Sequence, residues 1–90
     1  MNTTIETGMT KVKFFKHEKD NEVYAVFIDD VHPYNYNLLS GYAHIGQHTM
    51  INRAYIAESI HAKKEEYMDL YNELTNLVGY NLKVENIDFI

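Results

Sequence analysis

Ninety residues, 46% hydrophobic and 23% charged, fit one domain, because a chain this short closes only one core. The chain has no cysteine, which excludes disulfide staples, thiolate metal sites and a cysteine nucleophile. A net charge of −5 disfavours duplex nucleic acid, whose phosphates need clustered Lys and Arg, and no stretch approaches the ~20 apolar residues of a membrane span.

The first ten residues are polar, carry Glu6 and lack the basic start and apolar run of a secretory signal, so a soluble, cytoplasmic protein is expected. The runs KVKFFKH and EVYAVFID, rich in Val, Phe, Tyr and Ile and separated by EKDN, predict a β-hairpin. In it residues 12–17 pair with 23–28, with Asp20-Asn21 in the turn. Val23, Ala25 and Phe27 share one face of the second strand and Tyr24, Val26 and Ile28 the other. Apolar on both faces, that strand belongs in the middle of a sheet. Phe14 and Phe15 point to opposite faces, so they cannot form a base-stacking platform between the lysines, and those lysines suit an exposed edge.

DDVHPYNYN, residues 29–37, holds the one proline and reads as a loop. Residues 38–47 predict a third strand with Tyr42, His44 and Gly46 on one side, Ala43, Ile45 and Gln47 on the other, and His48 joining the first set. Residues 51–60 are ambiguous, compatible with a short helix and a brief extended piece. From there the pattern is clear: Tyr67, Leu70, Tyr71, Leu74 and Leu77 fall on one helical face, and Glu65 and Glu66 suit the first turn. Gly79 is placed to stop the helix in a left-handed conformation, so the helix spans 63–78. Tyr80, Leu82 and Val84 then alternate with Asn81, Lys83 and Glu85 as a half-buried strand. The implied fold is α+β: a small, mostly antiparallel sheet of three to five strands with one main helix on a face. The whole chain, 1–90, forms one domain, with 1–9 expected to be flexible.

At YAHIGQH, then Tyr55, EEYMDLYNEL and GYNLKV, the chain resembles a group of short, uncharacterised proteins of bacteria and their phages. The likeness covers residues 41–84 and is most specific at Tyr42, His44, Gly46, Gln47 and His48. It implies a small accessory protein, encoded by a phage or mobile element and acting in the host cytoplasm. No catalytic role comes with it.

His44 and His48, four apart, lie on one face of either a strand or a helix, and Gly46 between them favours a strand with a bend. The zinc-protease motif needs Glu after the first His, where this chain has Ile45. A third metal ligand exists only by composition, among His32, His61, Asp29, Asp30 and Glu58. Along one extended strand the two histidines would stand about 13 Å apart, too far to share an ion. No metal and no cofactor are therefore expected, and hydrogen-bonded rings at a strand end are the plain alternative. Eight tyrosines include Tyr34, Tyr36 and Tyr42 outside the helical stripe, and Tyr with Asn on loops makes contacts at low entropic cost. These rings either form a recognition surface or cover the sheet end. Ser40 and Ser59 lack a nucleophile turn, and no glycine loop cradles phosphate.

The reading is a non-enzymatic binding or accessory protein acting through a protein partner or a small ligand. Its binding residues are Tyr34, Tyr36, Tyr42, His44, Gln47 and His48. The alternative is a metal- or histidine-dependent hydrolase using His44 and His48. Opposite charges on the early lysine-rich hairpin and the acidic helix also make a homodimer a candidate.

Overall fold

Period-two alternation of apolar residues folds the first part of the chain as the expected hairpin. β1 (Thr10–His17) and β2 (Val23–Val31) run antiparallel, with Phe14 opposite Ala25 and Phe15 opposite Tyr24. The structure is a computed structural model and describes residues 9–19, 21–43 and 47–86. The expectation for residues 1–9 therefore falls, apart from Met9, outside the described residues. Asn21 takes a left-handed backbone, φ 56°, which its short polar side chain tolerates.

β3 (Leu38–Ala43) and β4 (Gln47–Asn52) form a second hairpin, and the expected single strand over 38–47 is in fact interrupted. A short helix, α1 (Arg53–Ala57), and β5 (Ser59–His61) resolve the ambiguous segment. Asn52 caps α1 by accepting the Ala54 N–H at 2.8 Å. The main helix, α2 (Lys64–Asn72), opens with the Glu66 carboxylate accepting the Lys63 N–H at 2.8 Å, and runs on as a π-helix over Glu73–Val78. Gly79, φ 97°, ends it as expected, and β6 (Leu82–Val84) follows. Leu77, assigned by spacing to the buried stripe, is 82% exposed, because the wider i→i+5 turn rotates it off the face that Leu70 and Leu74 bury.

The sheet has six strands in a mixed arrangement, in the order β4-β3-β2-β1-β5, with β6 also on β1. It is larger than the three to five strands expected, and the β1–β6 pairing is parallel, which a strand pattern cannot reveal. β2 is central and buried on both faces, as its two-sided apolar pattern requires. One face packs Val12, Phe14, Ala25, Phe27 and Tyr42 against Tyr67, Leu70 and Leu74, with Phe14 stacked on Tyr67 at 4.4 Å. The other carries Phe15, Tyr24, Val26, Leu39 and Ile51, with Ile56 of α1 packed against them.

β1 is not the exposed edge that its lysines suggested, since it is paired along both sides. β6 occupies Thr10 to Val12 and β5 occupies Phe15 to His17. At the junction the Asn86 side chain takes the place of a strand: its Oδ1 accepts the Phe14 N–H at 2.6 Å, and its Nδ2 donates to Phe14 O and Ala62 O at 2.9 Å each. One amide thus splices two short strands into one long edge partner. Asn86→Ala strands the Phe14 N–H, whose side chain is fully buried, and should cost about 2–3 kcal/mol in urea unfolding. A loss below about 0.5 kcal/mol would refute the splice.

His61 adds a pH dependence. Its Nδ1 is buried without a hydrogen-bond partner among the described residues, and burial first, then the nearby Lys13 charge, holds its pKa below the usual imidazole value. Its neutral form is thus favoured in the folded state, so stability is intact above about pH 6.5 and is lost as pH falls through the lower folded value. The Lys16 ammonium, then the Lys63 N–H, holds the Glu66 carboxyl below its usual range, and that contribution is lost only at more acid pH. The melting temperature should therefore drop as the pH falls below about 6.5, and His61→Gln should flatten the drop. An identical slope in the variant would count against this origin.

Candidate functional site

The second hairpin gathers most of the residues singled out by the sequence. His44 and Gly46 lie outside the described residues, and so does the question of a metal shared by His44 and His48. The 13 Å separation no longer follows, because it assumed one extended strand and the chain reverses between Ala43 and Gln47. Tyr42 sits on β3 directly opposite His48 on β4, and Gln47 stands exposed opposite Ala43.

Tyr42 is 1% exposed, with its ring in the helix-side core and its hydroxyl donating to the Glu73 carboxylate at the start of the π-helix. His48 packs edge-on against the Tyr42 ring at 4.8 Å, with Tyr80 6.3 Å away. Tyr42 and His48 of YAHIGQH thus meet Tyr80 of GYNLKV. Glu73 completes the cluster and was missed by the sequence reading, which gave it no role. Tyr34 and Tyr36 do not join this cluster. They are 93% and 72% exposed in the loop before β3, and Leu38 to Tyr42 alone spans about 13 Å of strand. There the Arg53 guanidinium lies 4.2 Å over the Tyr36 ring while its Nε donates to Tyr36 O.

β4 borders the sheet, and its hydrogen-bond phase can be read. The Arg53 N–H donates to Asn37 O at 2.8 Å, in register with the hairpin, so Ile51, Thr49 and Gln47 also face β3 with their peptide groups. The alternate residues, His48, Met50 and Asn52, therefore turn their N–H groups outward, where no strand pairs with them among the described residues. The strand reads QHTMIN and bears no acidic residue, lysine, arginine or proline. It lacks the usual safeguards of an open edge.

On the face away from α2, a cup of about 370 Å³ opens beside this strand. Tyr24, Ala43, Thr49, Ile51 and Tyr55 line it, with Glu22 at its rim. The five-residue α1 covers this face only in part, which leaves the hollow beside Tyr55. Gly41 shapes the floor: a Cβ there would stand 2.0 Å from Ile51 Cδ1 and 2.8 Å from Ala25 O, so only glycine lets Ile51 lie across β3. The Tyr24 and Tyr55 rings meet at 5.4 Å and 53°, and the far side of Tyr55 is closed by His17, stacked at 4.3 Å. Burial pushes the Tyr24 hydroxyl pKa up, against the opposing hydrogen bond with Ser59 at 2.7 Å.

Among the described residues no three His, Asp or Glu side chains come together as a metal site. His48 meets the rings of Tyr42 and Tyr80 rather than a carboxylate that would orient it as a base. Among the described residues no helix is long and apolar enough to cross a membrane. What the arrangement offers chemically is backbone hydrogen bonding along β4, with side-chain contacts on both of its faces.

If Tyr42 anchors the hairpin to the helix, Tyr42→Phe should cost about 1–2 kcal/mol through the lost bond to Glu73, and Tyr42→Ala about 3–5 kcal/mol through the cavity. Chemical denaturation checks both. A Tyr42→Ala cost under about 0.5 kcal/mol would instead mark it as a dispensable surface contact. No known family model matches the chain, nor does any curated protein or solved structure.

Proposed function

We propose that the protein is a non-enzymatic binding module that takes an extended segment of a partner protein along β4. The observation that carries this reading is the outward row of N–H groups on an uncharged edge strand. Peptide groups left open along a sheet edge are a ready template for another strand, and strand addition draws affinity from main-chain bonds and selectivity from flanking side chains.

The flanks are supplied. On the helix side His48 stands beside Tyr42 and Tyr80, and Met50 is partly exposed. On the other side Thr49 and Ile51 lead into the cup. Gln47 and His48, singled out by the sequence, are the first two residues of this strand, and Tyr42 acts by holding the hairpin to Glu73. Tyr36 and Arg53 lie just beyond the other end of β4 and extend the contact surface. The likeness of residues 41–84 to small phage and bacterial proteins fits an accessory role, in which such a domain takes its function from what it binds.

Met50→Pro is the direct test. It deletes an outward N–H while the β3 ladder, carried by residues 47, 49 and 51, is kept. Peptides selected from a displayed library on the natural protein should lose at least tenfold in affinity for this variant. They should also slow hydrogen exchange at the His48, Met50 and Asn52 amides. Undiminished binding by Met50→Pro, or peptides that leave those amides unprotected, would overturn the reading. Protection of the same amides by raising the concentration of the protein alone would make the partner a second copy.

A further inference from the structure

We infer that the cup between β2, β4 and α1 is a binding site for a small organic cation with an apolar body, an arylalkyl amine in chemical class. It is a different feature from strand addition, which uses the outward N–H groups of β4, whereas the cup is walled by Tyr24 of β2, Tyr55 of α1 and the side of β4 from Thr49 to Asn52.

Size and lining come first. A hollow of about 370 Å³ falls within the range of small-molecule sites, and Tyr24, Ala43, Ile51 and Tyr55 give it apolar and aromatic walls. The floor is built rather than incidental, since Gly41 is required for Ile51 to reach over β3. The exposed part of the Tyr55 ring, set at 53° to the nearly buried Tyr24, is the aromatic surface open to a cation. Tyr55 is held in place by the imidazole stacked behind it, so that surface is formed before a ligand arrives.

Charge then decides the class. Among the residues lining the cup Glu22 is the one that is charged, and no lysine, arginine or histidine pairs with its carboxylate among the described residues. Glu22 also borders the neighbouring hollow with Asp69, a second carboxylate that no cation pairs with among the described residues. The lysines lie elsewhere: Lys16 is paired with Glu66, and Lys11 and Lys13 sit on β1, with β2 and β3 between them and β4. An anion would meet repulsion at the rim, and a neutral apolar molecule would leave Glu22 unused.

Three probes of one shape separate these cases: phenethylamine, phenethyl alcohol and hydrocinnamate, titrated into the full chain at neutral pH and followed by amide NMR shifts. Phenethylamine should move the Tyr24, Ala43, Thr49 and Tyr55 amides saturably, the alcohol should bind about three- to tenfold more weakly, and hydrocinnamate more weakly still. Glu22 is exposed, so Glu22→Gln should leave the fold unchanged, reduce the amine to the affinity of the alcohol and leave the alcohol unaffected. Thr49→Tyr, which fills the mouth of the cup from an exposed position, should remove all three responses. The proposal is overturned if no probe shifts these amides by about 10 mM, if the carboxylate binds as well as the amine, or if Glu22→Gln makes no difference. Because Glu22 lies outside β4, undiminished peptide binding by Glu22→Gln separates this site from the strand edge.

Discussion

The sheet depends on the side-chain amide of Asn86. β1 is flanked on one side by β2 along its length, but on the other by two strands of three residues each, which come from opposite ends of the α2 segment. Neither short strand satisfies Phe14, the residue between them, and an unpaired buried peptide group is among the costlier defects a core can carry. Asn86 supplies one acceptor and donates to two carbonyls, and the Ala62 N–H also reaches Phe14 O at 3.0 Å. That junction holds the strand before α2 and the strand after it against the same neighbour. It thereby fixes both ends of the helix over the face that Phe14 and Tyr42 fill.

The two faces of the sheet are unequal, and the candidate sites follow from that inequality. On one side α2 and its π-helical continuation close a core that includes seven buried aromatic or leucine side chains, among them Phe14 and Tyr67 in a stacked pair. On the other, α1 gives only five residues to cover a comparable area, so apolar surface remains as a cup instead of a second core. β4 lies where both regimes end. Its inward side chains either meet the Tyr42 cluster or wall the cup, while its outer peptide groups face away from the sheet.

How much of this was legible follows from the range of each signal. Residues 12–17 and 23–28 form strands by local alternation, and the opposite placement of Phe14 and Phe15 needed no more than that period. The helix and its end at Gly79 were equally local, up to the π-turn that displaces Leu77. β4 was hidden because QHTMIN mixes polar residues on both faces, so the pattern of 38–47 ran straight through the reversal. Tyr42 and His48 were found as a pair, but a period-two pattern cannot tell a ring buried against a helix from one facing a partner, and Tyr42 proves to be the buried kind. Glu73 and Asn86 were not legible at all. Their roles arise from groups 31 and 72 residues away, and a single acidic or amide residue carries no mark of such a partner.

The splice on β1 also orders events during synthesis. β1 leaves the ribosome well before the residues that complete its outer side, since Leu82–Val84 and Asn86 emerge some seventy positions later, as the separation of 72 between Phe14 and Asn86 records. Until then a nascent chain holds a finished hairpin whose β1 presents bare peptide groups beside Phe14, and closing so long a loop is slow relative to local pairing. The domain therefore becomes a closed structure only once that late segment is free of the exit tunnel. Anything that stalls translation within α2 leaves a half-sheet with an aggregation-prone border.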